Sequence, residues 1–341
     1  MAYVKSGDTI DAEHYNVLQS RIADVLGVGS GLYGYGQTVT SSTVSVSEIV
    51  TAVQVNELKT DIDKVRTHQI GSATFVDHAG TNFTLATTVA ETDLIVAGAV
   101  DGNENPIEDT TNKSINDFDN AVSQIETDAL LVDVATQTTL NTNAASSSRT
   151  TNWSTAVYFE FTVTFANANQ RRYFFNTGGE IQIESSLVDN GTAKSQNWKT
   201  MIENAGIVHF NYNSTYIEPG KSGSASGSIG NSNLTANYQQ IFNKAGSDVY
   251  AENDYKIEAK VVLGGAQTAD QASVLNFKVS FLDDDTGDPP IVPVPQGGIE
   301  GGVDEPVGGT LETFVYERKT SGSVTLNSPT YNTVTALSSG G

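Results

Sequence analysis

The chain contains no cysteine in 341 residues. Disulfides, zinc–thiolate sites and thiol nucleophiles are therefore excluded. Positive charge is scarce: 18 Lys plus Arg stand against 40 Asp plus Glu, a formal net charge of −22. Such a surface repels phosphate backbones, so no nucleic-acid partner is expected. The same acidity keeps an abundant protein soluble before it assembles. Long apolar runs are missing too, none approaching the ~18 residues of a membrane span, so no membrane insertion is expected. The opening Met1-Ala2-Tyr3-Val4-Lys5-Ser6-Gly7-Asp8 has no apolar core of the signal-peptide kind. The expectation is a protein made in the cytoplasm and soluble until it meets a partner. Charged residues make up only 17%, whereas Ser, Thr, Asn and Gly are plentiful, a mix that suits strands and turns.

Residues that carry chemistry are thinly spread. The four histidines, His14, His68, His78 and His209, include no pair at metal-ligand spacing and none in a nucleophile-elbow or zincin context. With 40 acids, two carboxylates fit for glycoside hydrolysis carry no information, because their separation is spatial. The short repeats of a parallel β-helix are not visible. Asp283-Asp284-Asp285-Thr286-Gly287-Asp288 is dense in carboxylates, but the fifth position of a calcium loop falls on Gly287. Asp101, Asn103 and Asn105 come nearer, yet Pro106 takes the glycine position and Asn112 the closing Glu. Both read as solvated acidic loops, with calcium as the alternative. Gly27 to Gln37 has no Lys-Ser/Thr after its glycines and no strand before them, so it reads as a turn-rich connection with two exposed tyrosines. Arg171-Arg172 beside Tyr173-Phe174-Phe175 lacks the broad basic field of a nucleic-acid platform; strand packing with arginine–carboxylate pairs is expected. No catalytic, cofactor-binding or metal residue is assigned.

What is present begins with an internal repeat. Ile10 to Val25 aligns with Val50 to Val65 at an offset of 40 residues. Each copy opens on an N-cap residue, Asp11 or Thr51, and Thr51 with Gln54 has capping-box spacing. Apolar residues follow at steps of three and four: Tyr15, Leu18, Ile22, Val25 and Val55, Leu58, Ile62, Val65. That spacing makes one apolar stripe on each short helix. A degenerate third copy begins at Ser114, with Phe118, Ala121 and Ile125 at matching offsets. Either the stripes pack on one another, or these eight side chains form a subunit interface.

From about residue 146 the pattern changes to period two, clearest in Val157 to Phe165. Arg171–Phe175 and Ile181–Ile183 flank a predicted hairpin turn, Asn176-Thr177-Gly178-Gly179. Trp198, Met201, Ile202 and Ala205 share one face of a helix that Gly206 stops. Strands are predicted at Ile207–Tyr212, Tyr255–Leu263, Val274–Leu282, Thr313–Glu317 and Ser323–Leu326. Between them, 288–309 holds five of the eight prolines and six glycines, and reads as an extended excursion. The fold class is mainly β: a C-terminal antiparallel β-sandwich or jelly roll with one covering helix, after a short helical repeat, α+β overall. The expected divisions are 1–75 helical docking segment, 76–145 connecting region with a third helix, and 146–341 β-sandwich domain.

Several segments together resemble virion structural proteins of large contractile-tailed phages, especially marine and cyanobacterial phages of the T4-like group. They are Gly7-Asp8-Thr9-Ile10 through Gly36-Gln37, Asn56-Glu57-Leu58 through Gln69-Ile70-Gly71, Arg171 through Ile181, Trp198-Lys199-Thr200-Met201-Ile202, and Phe281-Leu282-Asp283-Asp284-Asp285. The Arg171–Ile181 segment is the most specific part; roughly 76–145 departs most from the pattern. The resemblance implies a non-enzymatic particle component in a virion, held by contacts with itself as a homo-oligomer and with other virion proteins. A tail, neck or fibre-attachment position is expected. The alternatives are a receptor- or glycan-binding adhesin at a fibre tip, recognising a host-surface glycan, and a capsid decoration protein.

Overall fold

Asp11 starts the first helix, α1 (Ala12–Leu26), by accepting the backbone N–H groups of Glu13 and His14. Thr51 caps α2 (Ala52–Ile70) with Gln54 closing the reciprocal bond, and Ser114 with Asp117 does the same for α3 (Ile115–Thr127). These reciprocal bonds satisfy N–H groups that the first turn leaves free. The three helices therefore begin where the repeat places them. The computed structural model describes residues 10–86, 88–91, 95–100, 106–107, 113–139, 144–285 and 305–339. Its contacts divide into two units: Met1–Thr138 with Arg172–Gly178 and Lys319–Leu326, and Thr139–Arg171 with Gly179–Arg318 and Asn327–Gly341.

In the first unit α1, α2 and α3 bury their stripes together, with Phe75, Leu85, Val89 and Val324 in the same core. Two short antiparallel ladders accompany them: β1 (Phe75–Val76) with β2 (Asn82–Phe83), and β3 (Ala99–Val100) with β4 (Pro106–Ile107). Leu85, Val89 and Ala97, between α2 and α3, thus belong to the helical core.

The repeat has a second use. Asn16 and its repeat partner Asn56 each bond both backbone groups of a valine downstream. Asn16 takes Val44 at 2.8 Å through both its amide groups; Asn56 takes Val89 at 2.9 and 2.8 Å. Both valines are buried, so each pair satisfies polar groups that water cannot reach. At the third copy the matching position is Asp119, which instead pairs with Arg21 on α1. Arg21 also reaches Glu126 at 2.6 Å, and Arg66 reaches Asp128 at 2.6 Å, so α3 is tied to both other helices.

Two segments distant in sequence meet in this unit. The predicted hairpin strand Arg171–Phe175 is instead helical, in α4 (Ala168–Asn176). Asn167 accepts the N–H of Gln170 at the start of that helix, a local bond that favours a helical turn over a strand. The Asn176 side-chain amide at its end donates towards the carbonyls of Gly31, Tyr33 and Gly34. Arg172 donates to the carbonyls of Tyr33 and Val28 at 3.0 and 2.8 Å. Tyr35, expected to be exposed, is fully buried and donates to the Ala129 carbonyl at 2.7 Å. Ser323–Leu326 forms no strand; Val324 is buried in the helical core.

The second unit is built on two antiparallel sheets. One contains β5 (Gln137–Thr139), β6 (Ala145–Arg149), β8 (Glu180–Asp189), β9 (Val208–Phe210), β10 (Thr215–Ile217) and β15 (Gly309–Thr320). Its order is β10-β9-β8-β15-β5, with β6 also on β15. The other contains β7 (Ala156–Thr164), β11 (Ser224–Ala225), β12 (Gln239–Ala245), β13 (Asp254–Val262), β14 (Val274–Leu282) and β16 (Thr330–Ser339), in the order β11-β12-β13-β14-β7-β16. The strict alternation predicted for Val157–Phe165 is the burial pattern of β7. The inner faces touch where Phe210 meets Phe277 edge-on at 5.2 Å and Tyr255 bonds the Ser185 hydroxyl. Helix α5 (Ala193–Ala205) is capped by Thr192 and stops at Gly206 as its sequence predicts, and Trp198 packs on Trp153 and Phe281. The sequence reading as mainly β understates the helices: this is a mixed helix and sheet fold, and neither sheet closes into a barrel.

Candidate functional site

The eight stripe residues Tyr15, Leu18, Ile22, Val25, Val55, Leu58, Ile62 and Val65 all lie inside the first unit, none more than 6% exposed. Their side chains pack on one another, so the stripes form an internal core and not an exposed docking face, although Tyr15, Val55 and Leu58 also line the cavity described next. The structural reason is that the third stripe, Phe118, Ala121 and Ile125, completes a core the first two share.

One group of exposed apolar side chains in this unit lies where the helices begin. A cavity of about 660 Å³ opens between the N-terminal ends of α1, α2 and α3. Apolar walls come from Ile10, Tyr15, Val50, Val55, Ile95 and Phe118, while Asp11, Glu48 and Glu91 bring carboxylates. Beside it, the turn Ser45–Glu48 is held by Glu48, whose N–H donates to the Ser45 carbonyl at 3.0 Å. Ser47 in that turn has φ +77°, a left-handed conformation that a side chain adopts at a cost. This strained turn sets two β-branched side chains in solvent, Val46 (90% exposed) and Ile49 (85%), and Val53 on α2 is 60% exposed. Ile49 also lines the cavity.

A second cluster lies in the other unit and concerns the acidic run singled out in the sequence. Asp283 and Asp285 are buried, not solvated, and only Asp284 points out. Residues i and i+2 of an extended chain face the same way. The segment is clamped by the Asp283 N–H to the Thr155 carbonyl and by the Asn253 side chain, which accepts from the N–H groups of Asp284 and Asp285. Both carboxylates meet Lys194, fully buried in the first turn of α5, with Nζ 2.9 Å from Asp283 Oδ1 and 2.5 Å from Asp285 Oδ1. A cation in the first turn opposes the helix dipole, so the two carboxylates must hold it there. Burial, then the hydrogen bond to Asp285, push the Asp283 carboxyl up to about 8. For Asp285 burial acts in the same sense, but hydrogen bonds from Asp283 and Lys194 outweigh it and its pKa is lowered. The Lys194 ammonium fills the space a metal ion would need between them. Asp101, Asn103 and Asn105 lie outside the described residues, as do Thr286, Gly287 and Asp288. Among the described residues no group of three or more His, Asp or Glu is arranged to hold a metal.

A third group lies on the outward face of β8, β9, β10 and β15. Glu180 accepts from Tyr216 at 2.6 Å and from Arg318 at 3.3 Å, and its carboxylate is 3.1 Å from His209 Nδ1. The His209 and Tyr216 rings stack at 4.5 Å. Burial raises the pKa of Glu180, but the bonds from His209 and Tyr216 prevail and lower it. His68, in the first unit, is buried against Tyr35 and takes no part in such a group. The Arg171 guanidinium bonds the Ala269 carbonyl at 2.9 Å, and Arg172 bonds the carbonyls of Tyr33 and Val28.

No protein-family model, curated protein sequence or solved structure matches the chain. Among the described residues no helix is long and apolar enough to cross a membrane.

Proposed function

We propose that the protein is a non-enzymatic structural component of a tailed-phage particle, in the tail, neck or fibre-attachment region, working through contacts with copies of itself and with other virion proteins. The observation that carries the reading is the strained turn that holds Val46 and Ile49 in solvent beside an apolar cavity. Exposed apolar side chains next to a concave apolar surface suit burial against a neighbouring subunit. The occupant is an apolar side chain of that neighbour, and the carboxylates of Asp11, Glu48 and Glu91 favour a basic residue beside it. The two facing antiparallel sheets are read as a β-sandwich with α5 over one end, a rigid body suited to a mechanical role. The resemblance to virion structural proteins points the same way.

The test is incorporation. Ile49→Asp and Val53→Asp alter exposed positions, so the subunit should fold with an unchanged melting curve and yet be depleted from particles by tenfold or more. Normal incorporation of both variants would reject the cavity as the contact. Imaging the intact particle would then place the subunit in tail, neck or head.

The alternative reading, a glycan-binding adhesin, draws on the half-buried rings of Tyr216 on β10 and Tyr316 on β15, on the same face of the sheet, since aromatic faces suit sugars. A glycan array separates the two: selective binding lost in Tyr216→Ala favours the adhesin, and a blank array the scaffold.

A further inference from the structure

We propose that Lys194 and Asp283 form an intramolecular amide cross-link, with Asp285 as the residue that moves the protons. It goes beyond the structural reading above and stands on different residues.

Three features of the geometry point to it. The amine and the carboxyl are already in contact, Nζ 2.9 Å from Asp283 Oδ1, so the amine has only to re-aim from that oxygen to the carbon that bears it. Both side chains have no exposed surface, and Asp285 has 6%, so bulk water does not compete for the carboxyl. The third group is placed on the nucleophile, Asp285 Oδ1 lying 2.5 Å from the same Nζ. The surroundings hold the set in place. Lys194 is fixed by the first turn of α5, the two aspartates by the backbone bonds to Thr155 and Asn253, and Trp198, Trp153 and Phe281 pack nearby. A lysine placed there only to neutralise charge would need one carboxylate, yet two converge on it with unlike protonation. Asp283, raised to about 8, is a neutral acid at pH 7, and Asp285, lowered, is the ionised base.

The step balances without any added reagent. Lys194 gives one proton to the Asp285 carboxylate and becomes a free amine. Its lone pair attacks Cγ of the protonated Asp283 carboxyl, forming the N–C bond and pushing the carbonyl pair onto oxygen. Asp285 then donates its proton to the carboxyl hydroxyl, which leaves as water when the C–O bond breaks, and takes back the second proton from nitrogen. The products are one amide, one water and a neutral Asp285 acid. No electron is gained or lost. The bond would tie the start of α5 to the end of β14 and close a long loop of chain, which restricts the unfolded state as any cross-link does.

The experiment is the intact mass of the purified full-length chain, followed by a tryptic map. The expected mass is lower than the sequence mass by one water molecule, with a branched peptide joining the segment of Lys194 to that of Asp283. Asp285→Ala should restore the full mass in most molecules, and Asp283→Ala in all. The wild-type measurement decides the matter even where a variant fails to fold. A full sequence mass after prolonged incubation at pH 7, with unbranched peptides covering both segments, would overturn the proposal. So would a lost water traced to a linear peptide, as an Asp-Gly succinimide would give, or a branch at Asp285.

Discussion

Gly36 and His68 are both tightly constrained in the helical unit. Gly36 has φ +67°, and a Cβ there would run into the ring of Tyr173. Gly31 has φ +59° but open space around it. Gly31→Ala should therefore cost only backbone strain, about 1 kcal/mol. Gly36→Ala adds an overlap and should cost about 3 kcal/mol in all; denaturant titration of the two variants would show the difference. His68 is 1% exposed, and burial lowers its pKa from the ordinary 6.5 to about 4. The unfolded chain thus binds a proton that the folded one refuses between those values. The neutral ring's contribution is fully present above pH 6.5 and is lost as pH falls through 4, to a total of about 3 kcal/mol. Melting temperatures of wild type and His68→Gln between pH 4 and 7.5 test this: the wild type should lose stability more steeply on acidification. Parallel curves would exclude His68 as the cause.

At the scale of elements, each helix is short, and its stability comes from packing its stripe. Leu58 is 1% exposed, so Leu58→Ala should cost roughly 2–5 kcal/mol through the cavity it leaves. The loss should appear as a lower midpoint of denaturant unfolding of the purified chain, which substitution of an exposed residue would leave unchanged. The paired asparagines predict a second outcome. Asn16→Ala and Asn56→Ala each strip both bonds from one buried valine, at a cost of about 1–3 kcal/mol for each unsatisfied pair. Hydrogen exchange should show faster exchange of the Val44 amide in the first variant and of the Val89 amide in the second. Equal effects on both amides would mean that the two devices are not local.

Across the whole molecule, neither unit is a continuous stretch of chain. The helical unit recruits Arg172–Gly178 and Lys319–Leu326 from far along the sequence. A fragment ending at Thr138 would lack Asn176, which bonds three carbonyls of the Gly27–Gln37 connection, and Val324, which fills part of the core. Expressed alone, residues 1–138 should melt well below the full chain and without a sharp transition by circular dichroism. A fragment as stable as the full chain would show that the recruited segments are dispensable.

The local pattern was legible because its causes are local. A cap residue and a stripe at steps of three and four fix α1, α2 and α3 whatever surrounds them, and period-two alternation fixes β7, β13 and β14. Trp198, Met201, Ile202 and Ala205 with Gly206 placed α5 in the same way. The aromatic run Arg171–Phe175 misled, because bulky residues favour strands only where a pleated neighbour exists, and here the segment coils into α4. Tyr35 looked solvent-facing among glycines, and only the approach of Ala129 and Gln69 makes it a core residue. Asp283 and Asp285 read as a solvated loop because nothing in their own neighbourhood supplies a cation. Lys194 stands 89 positions before Asp283 (283 − 194), a separation that no periodicity spans and that only the folded sheets close. Sequence alone determined the capped, striped helices α1, α2, α3 and α5, the cleanly alternating strands β7, β13 and β14, and the lack of thiol chemistry; tertiary structure decided the state of Arg171–Phe175 and which charges meet, because burial and pairing depend on contacts between distant segments.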